Sequence, residues 1–156
     1  MAKPLAAGPA AGSAADGARV TGEQWLSGGE VDLTVSAPAL STTAPVRVLL
    51  PRGWSRPATR TWPVVYAYHG GRDTDVSWTR STDIEQLAAD YGVMVVMPGT
   101  GFAGRFADWR NHGAFGPPKW ETLHTRELTR LMERDYHAGT ARAAMGISSS
   151  GYGAVK

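Results

Sequence analysis

Residues 143–153, Ala-Ala-Met-Gly-Ile-Ser-Ser-Ser-Gly-Tyr-Gly, constrain this chain more than any other stretch. An apolar run of strand length enters Ser148, which has small residues on both sides, and the pattern then predicts the first turn of a helix. That is the layout of a nucleophile elbow: a strained strand-to-helix turn in which small neighbours leave the serine hydroxyl standing clear of the backbone. The usual form is G-x-S-x-G. Here Gly146-Ile147-Ser148-Ser149-Ser150 puts serine where the last glycine belongs, with Gly151 and Gly153 close behind.

A chain that must deliver such a turn needs strands before it, and the sequence supplies them in order. Short β-like runs cover Gln24-Trp25-Leu26, the strictly alternating Val31–Val35, and Pro45–Pro51, with Gly28-Gly29 as the turn between the first two. These predict an antiparallel opening to a sheet. The continuous apolar run Pro63–Tyr68 predicts a central strand that delivers His69-Gly70-Gly71-Arg72 to one end of the sheet. A helix follows over Ile84, Leu87, Ala88 and Tyr91, capped by Asp83 and ended by Gly92; Val93–Pro98 is the next buried strand. Residues 99–118 form a long loop rich in glycine and aromatics, a length that in compact domains marks function. Residues 119–136 carry Trp120, Leu123, Glu127/Leu128, Leu131 and Met132 on one stripe, predicting an amphipathic helix closed by His137-Ala138-Gly139. Ala141–Ile147 is then the strand into Ser148. Alternating strands and helices argue an α/β fold with a parallel sheet and right-handed crossovers.

Composition narrows the function. The chain of 156 residues is 42% hydrophobic and 19% charged, and its net charge of +2 is scattered with no basic block, which argues against a nucleic-acid partner. The absence of cysteine excludes disulfides, thiol catalysis and thiolate metal sites, and leaves the compartment open. No stretch approaches the roughly 20 apolar residues of a membrane span. Residues 1–19 have little to bury and read as a flexible leader without a signal-peptide core, leaving residues 20–156 as the folded unit. No metal or cofactor is expected: no two histidines stand one helical turn apart as in H-E-x-x-H, and Asp73-Thr74-Asp75 lacks the remaining positions of a calcium loop.

Three segments together resemble a known family: His69-Gly70-Gly71-Arg72, the Lys119–Leu128 run Lys-Trp-Glu-Thr-Leu-His-Thr-Arg-Glu-Leu, and the Ser148 turn, joined by Val95–Gly99 and Ala107-Asp108-Trp109. The resemblance is to the α/β-hydrolase family of secreted actinobacterial esterases and mycolyltransferases, the antigen 85 group, and more loosely to the esterase D branch. It implies an α/β-hydrolase-like sheet and a secreted serine esterase or acyltransferase acting on small ester substrates. Ser148 would form an acyl-enzyme, the amide N–H groups of Gly71 and Ser149 would form the oxyanion hole, and Arg72 would contact substrate. The mycolyltransferases have Asp-Gly-Leu-Arg where this chain has His-Gly-Gly-Arg, so a short-chain ester fits better than a mycolate. The other reading of the same half-fold is a non-catalytic module that binds glycan or a partner chain through the 99–118 loop.

In this fold the chain order is serine, acid, histidine, whereas His69, His112, His124 and His137 all precede Ser148. His69 is expected to brace its loop and the other three to be structural or solvated. The chain therefore reads as the N-terminal half of such a domain, its sheet truncated after the elbow. Its last strand, which the fold places inside the sheet, would be an uncovered apolar edge. Self-association, a complementary chain, or rearrangement is the expected consequence.

Overall fold

The computed structural model describes residues 17–26, 28–100, 106–110 and 118–155. Six strands form one sheet in the order β1-β2-β3-β5-β4-β6. They are β1 (Arg19–Trp25), β2 (Glu30–Ala37), β3 (Thr42–Leu49), β4 (Trp62–Tyr68), β5 (Met94–Pro98) and β6 (Ala138–Gly146). The β1–β2, β2–β3 and β3–β5 pairs are antiparallel, and β4 runs parallel to both β5 and β6. The antiparallel opening and parallel remainder match the sequence expectation. Gly28 and Gly29, at φ of 71° and 85°, make the β1–β2 turn, a region that glycine enters without the Cβ clash.

Alternation explains the two faces. Val31, Leu33 and Val35 of β2, Val46 and Val48 of β3, and Val64 and Tyr66 of β4 bury into one core. The intervening positions Leu49, Ala67, Val95 and Met97 bury into a second. The first core is covered by a long helical run: α3 (Trp120–Thr122), a π-helical turn (Leu123–Glu127) and α4 (Leu128–Tyr136). The second is covered by α1 (Ser77–Ser81) and α2 (Ile84–Tyr91), through Ile84 and Ala88. Strand β4 thus connects to β5 over one face, and β5 connects to β6 over the other. The strand order reverses at β4, and such a switch point opens a crevice at the carboxyl ends of the parallel strands.

Several boundaries differ from the sequence expectation. Arg19, placed in the leader, already belongs to β1; the rest of the leader up to residue 16 lies outside the described residues. Strand β6 begins at Ala138 instead of Ala141, because the Trp62 N–H bonds the His137 carbonyl at 3.0 Å and draws the chain into the sheet as soon as the helix ends. Asp83 makes no side-chain cap on α2; the Thr82 hydroxyl accepts the Ile84 N–H instead, at 3.3 Å. The helix over 119–136 is not regular: the Leu128 N–H reaches back five residues to the Leu123 carbonyl. Of the 99–118 loop only residues 99–100, 106–110 and 118 are described. There Asp108 caps α3, its carboxylate accepting the Thr122 N–H at 3.0 Å and the Thr122 hydroxyl at 2.5 Å.

Candidate active site

Parallel pairing of β4 and β6 continues to Tyr68 opposite Gly146, so both strands end level. The chain leaves β4 as His69-Gly70-Gly71-Arg72 and leaves β6 as Ile147-Ser148-Ser149, and these two segments meet. A Cβ built on Gly70 would lie 3.6 Å from Ile147 Cγ2 and 3.9 Å from Ser148 Cβ; one on Gly71 would lie 3.5 Å from Ser149 Oγ. Ser148 is exposed and sits at φ 59°, between the end of β6 and α5 (Ser150–Ala154). A non-glycine residue at positive φ costs about 1 kcal/mol or more and persists only where its surroundings impose it.

Gly146 imposes it from below. A Cβ there would fall 2.2 Å from the Ser150 carbonyl oxygen, a backbone atom that cannot swing aside. Ser150 imposes it from behind. It is fully buried, its hydroxyl accepts the Ile147 N–H at 3.0 Å, and the one hydroxyl proton lies within reach of the Tyr68 carbonyl at 2.9 Å and the Ile147 carbonyl at 2.8 Å. Serine in place of the usual glycine therefore ties the turn to the end of β4. Backbone bonds from Ser150 N–H to the Ile147 carbonyl (3.2 Å) and from Gly151 N–H to the Ser148 carbonyl (3.1 Å) complete the turn.

The loop opposite is braced independently. His69 is buried; its Nδ1–H donates to the Gly70 carbonyl at 2.7 Å, and Nε2 accepts the Thr100 N–H at 3.2 Å. Both ring nitrogens are thereby engaged in the bracing role the sequence suggested. Arg72 follows exposed, at φ 63°. Asp73 then fixes the loop to α1 through Arg80 at 2.8 Å and the Ser77 hydroxyl at 2.9 Å. The Arg80 contact, with the Thr74 N–H and Ser77 hydroxyl, holds the Asp73 carboxyl down at about 2.

Beneath the turn lies an aromatic cluster that sequence reasoning did not assemble. Phe106 packs against Tyr68 at 5.0 Å between ring centroids, and His124 packs against Tyr68, Phe106 and Trp120 at 5.1, 5.4 and 6.0 Å. Gly153 of α5 rests on the Phe106 ring so closely that a Cβ would lie 2.3 Å from it. His124 is buried, and neither ring nitrogen has a hydrogen-bond partner among the described residues. Burial pushes its pKa down to about 3. His137, the cap of α4 at φ 61°, donates from Nε2 to the Arg56 carbonyl at 2.8 Å. His112 lies outside the described residues. None of the described histidines is bonded to Ser148 in this arrangement.

The structure thus brings Ser148, Ser149, Gly71 and Arg72 to one end of the sheet. It also adds Ser150 and Gly146 as the residues that shape the turn. Ser150 was legible as a departure from the motif, but its bond to Tyr68 depends on a strand pairing that no local pattern reports.

Comparisons with known proteins bear on the family and the fold. Residues 37–156 match the model of the esterase family, described as "Putative esterase". Esterase Rv1288 of Mycobacterium tuberculosis strain H37Rv is 37% identical over 115 residues, which cover 71% of this chain and 25% of the relative. The diacylglycerol acyltransferase/mycolyltransferase Ag85B of Mycolicibacterium smegmatis is 35% identical over 100 residues, covering 58% of this chain and 30% of the relative. Among solved structures, an S-formylglutathione hydrolase from Agrobacterium tumefaciens superposes with a TM-score of 0.74 at 19% identity, covering 86% of this chain and 55% of that one. A ferulic acid esterase gives 0.67 at 23% identity, covering 80% and 51%. The α/β-hydrolase-like fold is shared with both. The chain spans roughly a quarter to a third of the length of these curated relatives.

Two outcomes follow from the site. Gly146→Ala forces the Ser150 carbonyl to move. We expect it to destabilise the protein by about 2–4 kcal/mol in urea unfolding, against less than about 1 kcal/mol for Gly17→Ala, where a Cβ meets nothing. His124 is neutral when folded, while the unfolded state takes up a proton below the ordinary value of 6.5. Stability is therefore lost as pH falls from 6.5 toward about 3. His124→Leu should remove one proton from that dependence, flattening the slope by about 1.4 kcal/mol per pH unit, as read from urea midpoints across the window.

Proposed function

The chain belongs to the esterase family, and from that premise we propose that it carries the nucleophile and oxyanion hole of a serine esterase or acyltransferase. Ser148 Oγ attacks the carbonyl carbon of a carboxylic ester. The carbonyl oxygen becomes an oxyanion, held by the amide N–H groups of Ser149 and Gly71, and the alkoxide leaves with a proton to give an acyl-serine. Water or another hydroxyl then attacks the acyl-serine and releases the enzyme. Each amide aimed at the developing oxyanion is typically worth about 3 kcal/mol of barrier.

The observation that carries this reading is Ser148 at φ 59°, exposed at the end of β6, with the Gly70-Gly71 loop packed against it. Arg72, exposed at the rim on the same loop, is the proposed substrate contact. Two glycines in that loop leave room beside the serine, and the histidine in His-Gly-Gly-Arg braces the loop from within. A short acyl chain is therefore the proposed substrate class. A base must take the serine proton. His69 has both nitrogens engaged and His124 is walled in by rings, so we assign neither that role. The resemblance to secreted actinobacterial enzymes supports a location outside the cell.

Acylation can be read without turnover. Mixed with excess p-nitrophenyl butyrate, the protein should release p-nitrophenol and gain one butyryl group, mapped by mass spectrometry to the peptide containing Ser148. Ser148→Ala should gain none. An unmodified wild-type chain, or an adduct placed elsewhere, would favour the glycan- or partner-binding module over the enzyme.

A further inference from the structure

An oxyanion hole at this turn needs the Gly71 N–H to point at the space beside Ser148 Oγ. In a trans peptide the N–H and the preceding carbonyl share one plane and point opposite ways, and among the described residues every peptide is trans. Whatever holds the Gly70 oxygen therefore aims the Gly71 N–H. Two groups hold it: the His69 Nδ1–H at 2.7 Å and the Asp73 N–H at 3.3 Å. The first lies within the usual N–H···O range and the second beyond it, so the histidine contact sets the orientation. Among the described residues no hydrogen bond engages the Gly71 N–H itself.

The ring donates from Nδ1 in only one tautomer, and a backbone group at another strand end selects that tautomer. Gly99 and Thr100 follow β5. The Gly99 N–H bonds the Pro45 carbonyl of β3 at 2.8 Å, and the Thr100 N–H then meets His69 Nε2 at 3.2 Å. A backbone N–H can only donate, so Nε2 accepts and the ring proton sits on Nδ1. His69 and Thr100 are both buried, which keeps water from competing for either ring nitrogen. We infer that His69 is a positioning residue for the oxyanion hole: Thr100 fixes its tautomer, and its Nδ1–H draws the Gly70 carbonyl inward and so turns the Gly71 N–H toward Ser148. This role rests on the reading of Ser148 as the nucleophile. It differs from bracing, because a brace needs only a contact of similar strength, whereas aiming needs a donor at the Nδ1 position.

Two substitutions separate aim from bracing. In His69→Asn the side-chain amide nitrogen overlays Nδ1 and can donate to Gly70, while the bond from Thr100 is lost. In His69→Gln the amide oxygen overlays Nε2 and can accept from Thr100, while Gly70 loses its donor. Release of p-nitrophenol from p-nitrophenyl butyrate at saturating ester gives the acylation rate. His69→Asn should stay within about tenfold of the unsubstituted protein, the order of one lost hydrogen bond. His69→Gln should be slower by about 100-fold or more, as when an oxyanion donor is removed. Half-saturating ester concentrations should be alike in all three proteins, and the urea midpoints of the two variants should agree. Equal rates in the two variants, a His69→Asn as slow as expected for His69→Gln, or a loss confined to ester affinity would each overturn the inference. An unsubstituted protein that is not acylated would sink the nucleophile reading instead, and crystal structures of the variants then decide the aim. The Gly70 carbonyl should keep its direction in His69→Asn and turn in His69→Gln; an unturned peptide in His69→Gln would overturn the inference.

Discussion

The level ending of β4 and β6 is the constraint on which the rest of the molecule turns. Because Tyr68 pairs with Gly146, the segments that follow each strand emerge side by side, and Gly70 and Gly71 of one can lie against Ser148 and Ser149 of the other. A slip of one residue would turn every side chain of β6 to the opposite face and separate the segments. The Ser150 hydroxyl holds the pairing at its end, where backbone ladder bonds run out, by reaching the Tyr68 carbonyl across the gap. Strand pairing, turn shape and loop placement are one arrangement, and the absence of a side chain at Gly146 is what lets it close.

The strain at Ser148 is carried by rigid surroundings. Above it are a loop braced by His69 and an aspartate tied to α1; below it are rings packed from three different elements. The π-helical turn has a part in this. An extra residue in the turn keeps Leu123 and Leu128 both in the core while placing His124 against Tyr68 and Phe106. The imidazole there is kept neutral by burial. It acts as a flat packing group, and its cost falls on acid stability.

Much of this was legible in the sequence because the signals were local. Alternation at Val31–Val35, the apolar runs of β4 and β5, Gly92 ending α2 and the small residues around Ser148 each follow from a periodicity or a backbone requirement. What was not legible depends on contacts between distant segments. Ser150 looked like a defect in the motif until its partner on β4 was known. The early start of β6 follows from a bond between Trp62 and His137, far apart in the chain. The Asp83 cap failed because Thr82, one residue earlier, offers its hydroxyl to the same helix end. The five-residue step from Leu123 to Leu128 was visible as an ambiguity between Glu127 and Leu128, and a helix of constant pitch could not resolve it.

The central claim is that one small space beside Ser148 Oγ is faced by the amides of Gly71 and Ser149. Its most direct measurement is a crystal structure of the protein after reaction with diethyl p-nitrophenyl phosphate, whose phosphoryl oxygen occupies the position of an oxyanion. The account predicts phosphorus bonded to Ser148 Oγ, with that oxygen about 2.7–3.1 Å from both amide nitrogens. An adduct whose oxygen points to solvent, away from the Gly70-Gly71 loop, would contradict it.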